Sequence, residues 1–240
     1  MNWELFKDKF HPSWWSKMKP FIESKECDQI YAFLKVEGNR GKKIAPISSL
    51  TYRCFLETPL DECKVIIMGL CPYHSATKNG VLIADGLAMS CSITGQLQPS
   101  LQQFHDAIER EVYKGLSLDH KKSPDLTYLA KQGVLLCNAA LTTEFQKAGS
   151  HLAIWEPFMK YLLEDVVGYT GIPIIFLGKE AAKLQKYVTP FTHTFKLDHP
   201  AFAARIQSEW DTQGVFNVVN RIIKENNNFK IDWLEPDLPF

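Results

Sequence analysis

Three short polar clusters, each following an apolar run, hold the residue types most able to do chemistry. They are Leu70-Cys71-Pro72-Tyr73-His74, then Asn138, then Asp198-His199-Pro200. Together they supply a phenol, an amide, a thiol and two imidazoles. An amide offers both donor and acceptor, which suits the edge of a nucleobase. A neutral imidazole can donate to an oxygen where negative charge develops. Each residue also has a purely structural reading: Asn138 as a loop cap, Tyr73 as a packed ring, His199 as a satisfied buried histidine. Their shared placement after apolar runs, more than any one of them, points to a site. There is no GxGxxG and no GxxxxGK[ST], which argues against an enzyme built around a nucleotide cofactor. No Cys/His cluster has metal-binding spacing, and neither a metal nor a cofactor is expected.

The elements that must position these clusters alternate in type. Lys64 to Gly69 reads as a buried strand, β-branched and apolar with a glycine stop. Pro99-Ser100 opens a helix, with Ser100 and Gln103 spaced as a capping box and Leu101, Phe104, Ile108 and Val112 on one face. A short helix over 125–132 ends at Gly133, and a second buried strand covers Val134 to Asn138. The pattern continues with a helix over 153–167, a strand over 172–177, a helix over 179–187, a strand over 192–197 and a last helix around Phe216 to Ile223. The segment before Leu60 is aromatic-rich and expected to be helical, with a loop around Gly38 to Lys43. Alternation of helices with near-continuously apolar strands predicts a mostly parallel sheet covered on both faces. In such sheets ligands bind beyond the carboxyl ends of the strands, where the polar clusters fall.

The whole chain bounds the reading further. Its 240 residues, 45% hydrophobic and 22% charged, suit one large globular domain spanning 1–240, with no repeat or low-complexity linker. Lys plus Arg equals 27 and Asp plus Glu equals 27, so no global positive field exists to hold a phosphate backbone. A local groove stays possible, with Lys179, Arg205 and the loop from Arg40 to Lys43 as contributors. Six cysteines without a CxxC pair, together with charges at Glu4, Lys7, Asp8 and Lys9 and no long apolar run, predict an intracellular protein that does not enter membranes.

A set of longer motifs resembles one family. VIIMGLCPYH (65–74), DGLAMS (85–90), QPSLQQ (98–103), DLTYLAKQGVLLCNAALT (125–142), SHLAIWEPF (150–158), IIFLG (174–178), DHP (198–200) and IDW (231–233) follow one another as in family-1 uracil-DNA glycosylases. The resemblance implies a three-layer α/β/α sandwich on a four-stranded, mainly parallel sheet. It implies excision of uracil from DNA after the base is flipped from the stack. Tyr73 then matches the tyrosine that excludes a 5-methyl group, and Asn138 the asparagine that reads the uracil edge. His199 matches the histidine that donates to uracil O2, and His74 the histidine near phosphate and water. Pro72, Pro99, Ser100, Gly178 and Pro200 match backbone positions that pinch DNA phosphates.

Departures from the family pattern concentrate at the reaction centre. Cys71 stands where the family's GQDPYH has the aspartate that orients water and offsets oxocarbenium charge. A thiol with a pKa of roughly 8.5 is mostly neutral at pH 7 and supplies little fixed anion. Leu70 replaces a glutamine, and Met89 replaces the phenylalanine that stacks on uracil. In HPAFAAR, Ala203 occupies the leucine-wedge position, Phe202 is the substitute wedge, and Arg205 and Lys179 are candidate phosphate contacts. The AAR and LGK segments resemble the poxvirus branch, whose members also act as polymerase processivity partners. Two functions stay open: a glycosylase with an altered and weakened centre, and a non-cutting module that binds DNA or uracil-DNA. DNA is the expected partner of a monomer, with a replication protein or an inhibitor as further partners.

Overall fold

A computed structural model describes residues 3–115 and 120–236. Its centre is a four-stranded sheet of β1 (Val65–Gly69), β2 (Val134–Asn138), β3 (Ile174–Leu177) and β4 (Thr194–Leu197), ordered β2-β1-β3-β4. All three pairings are parallel, with Gly69 opposite Asn138 and Leu177 opposite Leu197. Every residue of β1, β2 and β3 is buried, as expected of strands covered on both faces. The chain leaves β1 toward one edge and β3 toward the other, so the crevice between their carboxyl ends is a topological switch point.

Helices cover the sheet in two aromatic layers. On one side α1 (Pro12–Ile22) and α2 (Lys25–Asn39) pack with α4 (Leu152–Tyr161), joined by edge-on contacts of Phe21 and Phe55 with Phe158. On the other lie α3 (Pro99–Glu111), α5 (Pro200–Ile206) and α6 (Val215–Asn227), tied through Phe104, Trp210, Phe216 and Trp233. The α/β/α architecture expected from strand–helix alternation is therefore present. Among the described residues no helix is long and apolar enough to cross a membrane, and the six cysteines are free thiols.

Several local expectations are corrected. The helix at Pro99 starts with Gln98 at its cap and without a side-chain cap. Ser100 is instead bonded to Tyr73, and Gln103 accepts from the Trp210 backbone N–H. The segment after His199, to which no element was assigned from the sequence, is helix α5, because Pro200 pre-sets its first turn. The helix expected over 125–132 is a single turn, Thr127–Ala130, and α4 passes into a π-helical turn, Leu162–Val166.

Candidate functional site

A cavity of about 390 Å³ opens beyond the carboxyl ends of β1, β2 and β4. It gathers Leu70, Cys71, Pro72, Tyr73 and His74 from the turn after β1, together with Met89, Ser100, Asn138, His199, Phe202 and Arg205. Gly69, Ala148 and Ala201 complete the wall, and nothing in their residue types announced them. A neighbouring cavity of about 420 Å³ holds Gly178 and Lys179 and shares Leu70, His199 and Phe202 with the first. Pro99 stays outside both, exposed at the start of α3. Pro72 and Pro200 are buried, so either can meet a ligand only through neighbouring backbone.

Asn138 is the polar group most clearly held for a ligand. It is 6% exposed, and among the described residues its side-chain amide has no protein partner. The amide borders the cavity, where its donor and acceptor are available to a ligand. Its position depends on Gly69, where an added Cβ would lie 2.4 Å from Asn138 Oδ1. Only a residue without a side chain lets the amide lie across the end of β1.

His199 is held in one tautomer. The Ala201 N–H donates to its Nδ1 at 3.1 Å, so the neutral ring carries its proton on Nε2. Burial lowers its pKa below the ordinary value of 6.5, which keeps it neutral at pH 7. Gly178 packs beneath it at φ +88°, and a Cβ there would come within 3.1 Å of the His199 Cβ. The ring is thus a neutral donor on a fixed backbone.

Tyr73 is clamped. Its hydroxyl donates to the Met89 carbonyl at 3.0 Å, leaving the Ser100 hydroxyl, 2.8 Å away, to donate to the phenol oxygen. Burial pushes the phenol well up, so it stays protonated. Met89 itself sits at φ +65°, a left-handed conformation that an L residue holds only when its surroundings impose it. The imposing group is Asp85, wholly buried, which accepts from Leu87 N–H and from the N–H and hydroxyl of Ser92 and the hydroxyl of Ser90. Arg53 pairs with the same carboxylate at 3.1 Å. This clamp was missed in the sequence, where DGLAMS read only as a family motif.

Cys71 lies in the floor. The Gly149 N–H donates to its Sγ at 3.2 Å. Burial raises the thiol's pKa, opposed in part by that N–H and by the Thr143 hydroxyl. It is therefore a neutral thiol at pH 7, and a thiolate there does not fit the surroundings. No Asp or Glu lines the cavity among the described residues. His74 faces the same space with its Nδ1 buried and, among the described residues, unpartnered.

The rim differs from expectation at one position. Ala203, placed at a wedge position, is 4% exposed because that face of α5 packs on α3. Phe202, one residue earlier, is 47% exposed, with the Arg205 guanidinium 5.5 Å from its ring centre. The loop from Arg40 to Lys43 is occupied elsewhere: Arg40 and Lys42 pair with Glu37, and Lys43 donates to the Gly80 carbonyl.

Comparison with known proteins places these features in context. The model of the uracil DNA glycosylase superfamily matches residues 56–224. A uracil-DNA glycosylase of Pseudomonas aeruginosa is 32% identical over 234 residues, covering 96% of each chain. One from Streptococcus pneumoniae is 33% identical over 228 residues, 93% of this chain and 99% of its own. The crystal structure of mimivirus uracil-DNA glycosylase shares the fold, with a TM-score of 0.79 and 22% identity over 97% of this chain and 89% of that one.

Proposed function

The chain belongs to the uracil DNA glycosylase superfamily, and we propose that it takes a flipped-out uracil from DNA into the 390 Å³ cavity and hydrolyses its N-glycosidic bond through a weakened centre. The observation that carries this reading is the pairing of an Asn138 amide that is open to the cavity and unpartnered among the described residues with a neutral His199 in the same cavity. Asn138 supplies a donor and an acceptor for the edge of the base. As the bond to the sugar breaks, negative charge collects on the uracil, and the Nε2–H of His199 donates to it. A neutral donor is suited to that task because the leaving base is itself a weakly basic anion. Tyr73, fixed by Ser100 and Met89, stands as a rigid wall against a 5-methyl group, and Met89 covers the base less stiffly than a ring would.

The attack on the sugar is the weak step. His74 and Cys71 border the water's approach, but neither carries a fixed negative charge at pH 7 against the developing oxocarbenium. Loss of one preorganised electrostatic partner lowers a rate by about a hundred- to a thousandfold. On the DNA-facing side, Phe202 and Arg205 border the cavity and Gly178 and Lys179 its neighbour. Pro99 is exposed outside both, and the buried Pro72, Ser100 and Pro200 can meet a strand only through backbone.

Uracil release from single-stranded DNA tests this reading. The wild-type chain should release uracil slowly but above a His199→Ala control, and Cys71→Asp should raise the rate about a hundred- to a thousandfold. The Gly149 N–H that meets Cys71 Sγ is already placed to orient the new carboxylate. A second reading, a module that holds extrahelical uracil without cutting it, is favoured by the absence of a carboxylate in the cavity wall among the described residues. Wild-type release no faster than His199→Ala, with uracil-dependent binding retained, would establish that second reading.

A further inference from the structure

Cys71 differs from the other cysteines in what can reach it. Cys27, Cys54, Cys63, Cys91 and Cys137 are buried in the core, whereas Cys71 is half-buried and borders the cavity of about 390 Å³. The Gly149 N–H meets its Sγ at 3.2 Å and fixes where the sulfur lies. His74, in the same turn, borders the same space, and its buried Nδ1 has no partner among the described residues. The wall also holds Asn138, 6% exposed, whose side-chain amide is unpartnered among the described residues and open to the cavity. A soft nucleophile, a base and an amide available to a ligand therefore share one room. No Asp or Glu lines it among the described residues.

We infer that Cys71 is a nucleophile toward the deoxyribose, so that loss of the base leaves the sugar bonded to the protein as a thioglycoside. The step is a substitution at C1′. The C1′–N1 bond breaks, and its electron pair leaves with the uracil, which accepts a hydrogen bond from the His199 Nε2–H. A sulfur lone pair forms the C1′–S bond, and the thiol proton passes to His74. Nothing is oxidised or reduced. A neutral thiol suffices, because the oxocarbenium-like carbon draws its electrons while an adjacent base removes its proton. Water attacking the same carbon has to be captured and oriented first, whereas the sulfur is already part of the cavity floor. The chain thus stays attached where a uracil was lost, and later hydrolysis of the C1′–S bond limits turnover. This inference rests on the cavity being the uracil site.

Intact-mass spectrometry of the full chain, denatured after incubation with a short single strand carrying one central deoxyuridine, tests it without any reductant. The expected product has the mass of the protein plus the strand minus uracil. After nuclease and protease digestion, tandem spectra should place the deoxyribose on Cys71. Uracil release should show a burst of about one per chain and then a slower phase, as a covalent intermediate requires. Cys71→Ala should lose both the adduct and the burst, and a thymine strand should give neither. The peptide mapping is made on the wild type, so the result does not depend on the variant folding. Uracil release without an adduct, or an adduct that needs borohydride and maps to a lysine, overturns the capture and leaves the uracil reading standing. If neither free uracil nor an adduct appears, excision and capture fall together.

Discussion

At the scale of single residues, His199 carries the most specific chemistry, and it sets a pH dependence whose sign can be worked out. Burial lowers its pKa below 6.5, and its Nδ1 already accepts from the Ala201 N–H. Protonation would place a hydrogen on Nδ1 as well as on Nε2 and turn that bond into a clash of two donors. The neutral form persists to lower pH than it would in an exposed histidine. Affinity for a uracil strand should therefore be flat from neutral pH down to about 6.5 and fall only in more acid solution. Calorimetric titration across that range checks this, and a decline already complete at 6.5 would contradict the assigned tautomer. Folding linkage has the same sign. The unfolded histidine protonates near 6.5 and the native one at lower pH, so this group's stability contribution is present above 6.5 and is lost as pH falls through the native value. Cys71 behaves in the opposite way: burial raises its pKa, so no thiolate forms near neutrality to replace a carboxylate.

At the scale of elements, the site depends on segments far apart in the chain holding one another. The Asp85 carboxylate fixes the turn that forces Met89 into a left-handed conformation, and Arg53 closes the network from another helix. Asp85→Asn removes one partner of a buried, hydrogen-bonded charge pair. It should destabilise the fold by about 3–5 kcal/mol, read by chemical denaturation, and it should weaken uracil binding by freeing Met89 and the Tyr73 hydroxyl it holds. Helix α5 yields a second expectation. Ala203 is packed on α3, so Ala203→Leu should overfill that contact and cost about 1–3 kcal/mol. It should not improve activity on duplex substrates, as a new wedge would; a gain on duplex with unchanged stability would show that α5 turns outward. All four strands were legible, three of them from near-continuous apolar runs, because burial on both faces leaves little else to read. Tyr73, Asn138 and His199 were legible because each lies at or just beyond the carboxyl end of a strand. The Asp85–Arg53 clamp, the Ser100–Tyr73 bond and the Gly149 N–H on Cys71 were not, since long-range packing creates them and no spacing encodes them. The Ser100–Gln103 pair shows the reverse error: its spacing fits a capping box, but tertiary partners claimed both side chains.

At the scale of the whole molecule, equal numbers of acidic and basic residues, 27 of each, say little about binding until the pairs are located. Arg40 and Lys42 pair with Glu37, Lys42 also with Glu144, and Lys43 donates to the Gly80 carbonyl, so the cations of the loop first counted toward a groove are engaged by groups outside the two cavities. Lys179 and Arg205 remain beside the two cavities without carboxylate partners among the described residues. Two phosphates neutralised on a single strand release about 0.7 counterions each, for a slope of about −1.4 in log affinity against log salt. Affinity for a uracil strand should then fall only about sevenfold when salt rises about fourfold. Removing Lys179 should flatten the slope by about half. A charged track around the whole molecule would behave differently, losing several decades over the same range and changing little with one lysine. Anisotropy titrations at a series of salt concentrations separate the two cases. A slope steeper than about −4 would mean that cations beyond Lys179 and Arg205 reach the strand. The shallow slope is what a neutral protein requires if it recognises one base in a cavity and holds the backbone at few points.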